Sequence, residues 1–320
     1  METSVGLSRV AVRLPGWTEP VDDIMVRAER PVTERKMFTK VFGLRNIPSL
    51  ASGELMEDVL VEAGRAALAG GTASLVLYGH TLLMVETDLC GGFADRLRNR
   101  LGLPGCRFYG LSHVNCVSVL RSVEYARRYL ARPGVDTEER VLVLGGDQGS
   151  VGDDARVIAG TTVSSDCAAG VIVHRGDSSA RVRYRYLGGA GARDARFYRN
   201  IRMTQEEHAL FAKVCSELVV ETVERAAAQA GMTLDQVDWV LPHLNNKMFW
   251  RTFSIQSGYP RDRICLDLMP ETGHSFGVDA LMAMEHADRM GRLRPGDRCA
   301  LIAIGQGAYF QVMIVEVVED

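Results

Sequence analysis

The sequence predicts an α/β fold built twice from one pattern, and two observations carry that reading. Short apolar runs of strand length alternate with longer segments whose apolar residues return every three to four positions. Two helix-to-strand units from the first part of the chain also recur, in the same order, in the second. Alternation of this kind predicts a layered architecture with both faces of the sheet covered.

In chain order, the strand candidates are Leu75–Leu77, Val141–Leu144, Gly170–Val173, Trp239–Leu241, Ala300–Ile304 and Val312–Val315. The helical segments are Leu55–Ala69, Ser118–Ala131, Glu206–Ala230 and Ala280–Met290. The repeat shows in the residues themselves. Leu60-Val-Glu-Ala-Gly-Arg-Ala-Ala-Leu-Ala-Gly70, followed by Ser74-Leu-Val-Leu-Tyr-Gly-His80, returns as Val223-Glu-Arg-Ala-Ala-Ala-Gln-Ala-Gly231 and Val237-Asp-Trp-Val-Leu-Pro-His243. Glu124-Tyr-Ala-Arg-Arg, Arg132-Pro-Gly and Arg140-Val-Leu-Val-Leu-Gly-Gly-Asp-Gln-Gly149 return as Glu285-His-Ala-Asp-Arg, Arg294-Pro-Gly and Arg298-Cys-Ala-Leu-Ile-Ala-Ile-Gly-Gln-Gly307. The predicted division is 1–173 and 174–320, two units of ordinary domain size.

Composition narrows the function classes. The 320 residues are 47% hydrophobic and 24% charged, with a formal charge of −3, so the chain carries no global nucleic-acid footprint. Arg193, Arg196, Arg199 and Arg202 form a local cluster that fits either an acidic carrier or a solvated face. Seven cysteines (Cys90, Cys106, Cys116, Cys167, Cys215, Cys265, Cys299) show no paired spacing, which predicts reduced thiols and a cytoplasmic setting. Cysteines and histidines lack zinc-ligand spacing, so no metal is expected. The N-terminus lacks a secretory pattern and the longest apolar runs are strand-length, so no membrane partner is expected either.

Three residues point to covalent chemistry. Cys116 ends the polar, glycine-led stretch Gly110-Leu-Ser-His-Val-Asn-Cys116, where a helix begins. Unpaired N–H groups and the positive end of the helix dipole favour a thiolate there. Such a cysteine can accept an acyl group from a thioester and split one hard transfer into two easier ones. His243 follows the strand candidate Trp239–Leu241, at the strand end where α/β ligand sites form. It can hold a thioester oxygen or act as a general base. His274 sits after Gly273 in a tight turn ahead of a helix, and it can exchange a proton near neutral pH. In the repeat register it occupies the corner equivalent to that of Cys116.

These motifs resemble β-ketoacyl-acyl-carrier-protein synthase III, the ketosynthase branch of the thiolase superfamily. The resemblance runs from Phe42-Gly-Leu-Arg45 to the C-terminus and rests on the shared order of several motifs. Val114-Asn115-Cys116 stands at the family's cysteine, and Ser165-Asp-Cys-Ala-Ala-Gly170 stands at its glycine-rich turn before a strand. Pro242-His-Leu-Asn-Asn246 matches its Pro-His-Gln-Ala-Asn, and Gly273-His-Ser-Phe276 its Gly-Asn-Thr-Ser. Arg294-Pro-Gly-Asp297 and Ile304-Gly-Gln-Gly-Ala308 match the closing segment. Two departures stand out. His274 replaces an asparagine, giving Cys–His–His, and Asn115 and Val117 replace small residues beside the cysteine.

The resemblance implies a thiolase-like fold, with duplicated halves in α-β-α-β-α layers. It implies no permanently bound cofactor and an acyl group carried by coenzyme A or phosphopantetheine, with acyl-CoA or an acyl carrier protein as partner. The oxyanion donors would be the N–H groups of Cys116 and Gln306. Arg45 would stand near the coenzyme-A adenine, and Asn246 would bind cofactor or support the turn after His243. Asp166 would organise its turn. A homodimer is implied, formed at an edge strand near Arg107–Leu111, with Thr81–Asp88 reaching the partner's pocket. The implied reaction is decarboxylative Claisen condensation with a malonyl-type thioester, in fatty-acid or polyketide-type biosynthesis. The alternatives are acyl transfer to oxygen or nitrogen, and a non-catalytic partner subunit of a ketosynthase heterodimer.

Overall fold

A computed structural model describes residues 4–82, 92–199 and 202–318. Ten strands form one large mixed sheet: β1 (Val5–Leu7), β2 (Ala11–Arg13), β3 (Leu75–Gly79), β4 (Arg107–Leu111), β5 (Arg140–Gln148), β6 (Asp166–Arg175), β7 (Tyr184–Arg193), β8 (Trp239–Leu241), β9 (Arg298–Gly305) and β10 (Tyr309–Val317). Their order across the sheet is β8-β9-β10-β7-β1-β6-β5-β3-β4, with β2 pairing β6 off this path. Every expected strand and helix is present, most of the strands extended by a few residues. The main helices are α1 (Met56–Leu68), α2 (Ser118–Leu130), α3 (Gln205–Gln229), α4 (Lys247–Ser257) and α5 (Asp279–Arg289).

The pairing repeats as the sequence does. In the first part, β4 and β5 flank β3 in parallel, β6 runs antiparallel to β5, and β1 antiparallel to β6. In the second, β9 pairs β8 in parallel, β10 runs antiparallel to β9, and β7 antiparallel to β10. The counterpart of β4 is reduced to a single parallel bridge, Val240 to Ile264. β1 and β7 join the two parts antiparallel, with Gly6 facing Arg185 and Leu7 facing Tyr184.

The apolar runs are continuous because both faces of each strand are covered. On β5, Val141 and Val143 enter one core while Leu142 and Leu144 enter another. On β3, Leu75 and Leu77 part from Val76 and Tyr78 in the same way, as a two-residue period requires. The smaller core lies under α1, through Met56, Leu60, Ala63 and Ala67. Helix α2 packs on β3, β5 and β6 and also reaches β10, so it lies between the two parts of the sheet, whereas α3 packs on β7 and β10.

Three elements differ from expectation. Asp166 opens strand β6 instead of preceding it, and its carboxylate accepts the N–H groups of Ser150 and Leu50 and the Ser150 hydroxyl. Strand β7 carries Gly188-Gly-Ala-Gly191 and no apolar run, so periodicity did not announce it. Helix α4 follows Asn246, whose side chain accepts the Phe249 N–H at 2.9 Å and caps the helix N-terminus, a contact worth about 1 kcal/mol. β4 is the outermost strand beside β3, the edge position that the sequence predicts. The six described cysteines are free and buried; Cys90 lies outside the described residues. Among the described residues, no helix is long and apolar enough to cross a membrane.

Candidate active site

Two equivalent corners meet at the centre of the molecule. Cys116 lies in a single 3-10 turn, Asn115–Val117, immediately ahead of α2. Its counterpart turn, Phe276–Val278, leads into α5, and His274 stands two residues before it. The backbone of His274 is fixed from both sides: its N–H donates to Val163 O at 3.0 Å, and the Ser165 N–H donates to its carbonyl at 2.9 Å. Ser165 and Ser275 join hydroxyls at 2.6 Å behind it.

The structure brings Cys116, His243 and His274 together, all three buried. Cys116 Sγ lies 3.6 Å from His274 Nε2. The other ring nitrogen of His274 donates to Asp279 Oδ2 at 2.6 Å. Asp279, the first residue of α5, is itself buried, and the N–H groups of Leu244 (2.7 Å) and Ser275 (2.6 Å) also donate to it. The arrangement is therefore a Cys–His–Asp relay. Sequence reasoning missed Asp279 because an acidic residue in the first turn of a helix is ordinary dipole complementation. Its position five residues after His274 was the only available signal.

The two imidazoles are driven apart. Burial disfavours charge on His274, but the Asp279 carboxylate and the Cys116 sulfur outweigh it and raise the pKa to about 10. Burial also acts on His243, and the neighbouring His274 cation adds to it, so His243 is pushed down to about 3 despite some help from Asp279. The rings meet edge to face, 4.4 Å between centroids. His243 Nδ1 approaches Asp279 Oδ2 to 3.5 Å but makes no hydrogen bond. The separated affinities give the two rings different chemistry: His274 is held charged beside the Cys116 sulfur, and His243 is held neutral, able to donate or accept a hydrogen bond. Cys167, by contrast, is fully buried and its thiol is pushed well up, first by burial and then by Asp279, which holds it protonated.

His243, His274 and Asp279 have ligand atoms within 4.8 Å of one another. The carboxylate already accepts three N–H donors, so these atoms form a hydrogen-bonded relay and not an open coordination site. Gln306 lies beside the cysteine turn, its carbonyl accepting the Asn115 side-chain N–H at 2.8 Å. The two residues expected near a cofactor have protein partners in the structure. Asn246 caps α4 with its oxygen and donates its amide N–H to Thr161 O at 3.2 Å, so it holds the turn after His243. Arg45 is exposed and pairs with Glu271 at 2.5 Å. In the arginine cluster, Arg196 pairs with Asp194, Arg199 faces Glu207, and Arg193 lies over the Tyr309 ring. Residues 83–88, most of the segment expected to reach a partner subunit, lie outside the described residues.

Comparison with known proteins agrees with this fold. Residues 227–317 match the family model for the C-terminal part of 3-oxoacyl-[acyl-carrier-protein] synthase III. The chain is 25% identical to the 3-oxopimeloyl-[acyl-carrier-protein] synthase of Rhodothermus marinus, over 96% of this chain and 92% of that one. Among solved structures it is similar to the acyltransferase ChlB3 (TM-score 0.84, 17% identity, 98% of each chain). It is also similar to a cysteine-to-serine variant of Xanthomonas campestris OleA with bound lauric acid and lauroyl-CoA (TM-score 0.82, 17% identity, 99% of this chain and 100% of that one).

Proposed function

We propose that this chain, a ketosynthase-III-like enzyme of the thiolase superfamily, carries an acyl group on Cys116 and delivers it to an oxygen or nitrogen nucleophile. The observation behind this reading is the relay from Cys116 through His274 to the buried carboxylate of Asp279. A charged imidazole 3.6 Å from the sulfur supplies the counterion a thiolate needs. The thiolate attacks the thioester carbonyl, the N–H groups of Cys116 and Gln306 receive the developing oxyanion, and His274 gives its proton to the departing thiol. His274 is then neutral and oriented by Asp279. It removes the proton of an incoming hydroxyl or amine, which attacks the acyl carbonyl and displaces the Cys116 thiolate. An asparagine at this position can donate or accept a hydrogen bond but cannot perform that proton transfer.

The acyl donor in this reading is a coenzyme-A or carrier-protein thioester. OleA holds lauroyl-CoA, and the Rhodothermus relative is named for an acyl-carrier-protein reaction. Decarboxylative condensation is a second reading with its own observation. His243 is neutral and packs against His274, so two ring N–H groups can converge on a thioester oxygen as an enolate forms. The variant His274→Asn separates the readings. It keeps a donor and loses the base, so transfer to alcohols or amines disappears under the first reading, while condensation with a malonyl thioester survives under the second.

We further propose the division into halves 1–173 and 174–320, supported by the repeated strand pairing, and a homodimer joined at β4. Tyr109 on that strand is 58% exposed, and an uncovered edge with unpaired N–H and C=O groups is a template for a second strand.

A further inference from the structure

Resting on the acyl-enzyme reading above, we propose that Asn115 is a positioning residue that sets the spacing of the two oxyanion donors, the N–H groups of Cys116 and Gln306. One donor follows Asn115 directly in the chain. The other belongs to the residue whose carbonyl Asn115 holds: its side-chain N–H donates to Gln306 O at 2.8 Å across 191 positions of sequence. A single side chain therefore ties the nucleophile turn of the first half to the closing turn of the second.

The backbone on both sides of this bond is built for it. Asn115 has φ +52, the left-handed region that asparagine enters more readily than other side-chain-bearing residues. Gln306 precedes two consecutive left-handed residues, Gly307 at φ +83 and Ala308 at φ +55. The turns also touch directly. A Cβ on Gly305 would lie 2.8 Å from Val114 O and 3.4 Å from Asn115 Cβ, so only glycine lets the closing turn come this near.

An oxyanion hole works because its donors are already in place, within about 2.7–3.1 Å of where charge develops. Misplacement by about 1 Å costs on the order of 100-fold in rate. Chemistry at the 115 position is specific as well: an amide donates to a carbonyl, whereas a carboxylate of the same shape presents only acceptors.

The test uses two variants of the full chain and two reactions of the same thiol. Asn115→Gly keeps the left-handed backbone and removes the tether, and Asn115→Asp keeps the shape and reverses the polarity. Single-turnover acylation of Cys116 by lauroyl-CoA and by acetyl-CoA builds an oxyanion; alkylation by iodoacetamide needs the thiolate but builds none. In both variants acylation should slow about 10- to 100-fold at saturating donor with the apparent KM unchanged. Alkylation should stay within about twofold of wild type in Asn115→Gly; in Asn115→Asp, whose added carboxylate also disfavours the thiolate, it should fall less than acylation does. Unchanged acylation overturns the proposal, and so does a parallel fall in alkylation, which would place Asn115 in the upkeep of the thiol or the fold. If wild-type Cys116 takes up no acyl group from either donor, the acyl-enzyme reading itself has failed, an outcome distinct from both.

Discussion

The two inner corners of the molecule share a backbone and differ in the side chains they carry. Each enters its helix through one 3-10 turn whose first residue is left-handed, Asn115 and Phe276, both at φ 52. In this register Cys116 corresponds to Gly277 and Ser118 to Asp279. A Cβ on Gly277 would meet Val119 Cγ2 at 2.7 Å and Cys116 O at 3.1 Å, so the position equivalent to Cys116 stays bare and lets the corners touch. The first residue of each helix differs as sharply. Among the described residues Ser118 Oγ is buried with no hydrogen-bond partner, whereas Asp279 accepts three N–H donors and orients His274. The two scaffolds match, and a few side-chain differences place a thiol on one and a carboxylate-oriented imidazole on the other.

Breaking the first corner should have the largest effect. Cys116→Ala should abolish the acyl adduct seen by intact mass after incubation with acyl-CoA, while Cys167→Ala should leave it in place. An adduct that persists without Cys116 would refute the mechanism. Next comes the orienting carboxylate. Asp279→Asn should slow transfer about 10³-fold, since the imidazole loses both its counterion and its fixed tautomer. The fold should survive, because an amide oxygen can still accept one of the backbone N–H groups.

The pH response separates the two histidines by sign. His274 binds its proton more tightly folded than unfolded, rising from an ordinary 6.5 to about 10, so it stabilises the fold fully below about 6.5 and loses that contribution as pH climbs towards 10. His243 does the reverse. Held neutral with a pKa near 3, it withdraws stability as pH falls from about 6.5 towards 3. Thermal unfolding between pH 4 and 10 should therefore decline at both ends, on the order of degrees. His274→Asn should flatten the alkaline limb and His243→Asn the acidic one. The smallest expected effect concerns assembly. Sedimentation should give about twice the 35.1 kDa chain mass, and an active monomer would remove the proposed edge contact at β4.

Much of this was legible because the signals were local. Continuous apolar runs such as Val141–Leu144 mark strands covered on both faces, and each lies inside its observed strand. The motifs around Cys116, His243 and His274 kept their order, and the fold brings those residues together. What stayed hidden depends on contacts between halves. Asp279 reads as a routine helix-start acid until the fold sets His274 against it. Asn115 reads only as a departure from a small residue, because its partner Gln306 lies at the far end of the chain. Arg45, whose place in a motif implies a cofactor contact, is exposed and pairs with Glu271, as a surface arginine does.

The central claim, a relay that passes an acyl group to a protic nucleophile, is tested most directly by a chase of the isolated acyl-enzyme. Wild-type protein acylated on Cys116 is freed of donor and offered, separately, a panel of small alcohols and amines or malonyl-CoA, with acyl mass on the protein and released carbon dioxide both measured. The account predicts that a protic acceptor strips the acyl group with formation of an ester or amide, and that malonyl-CoA does not. Loss of the acyl group only to malonyl-CoA, with one carbon dioxide released per acyl group, would contradict it and identify the enzyme as a condensing one.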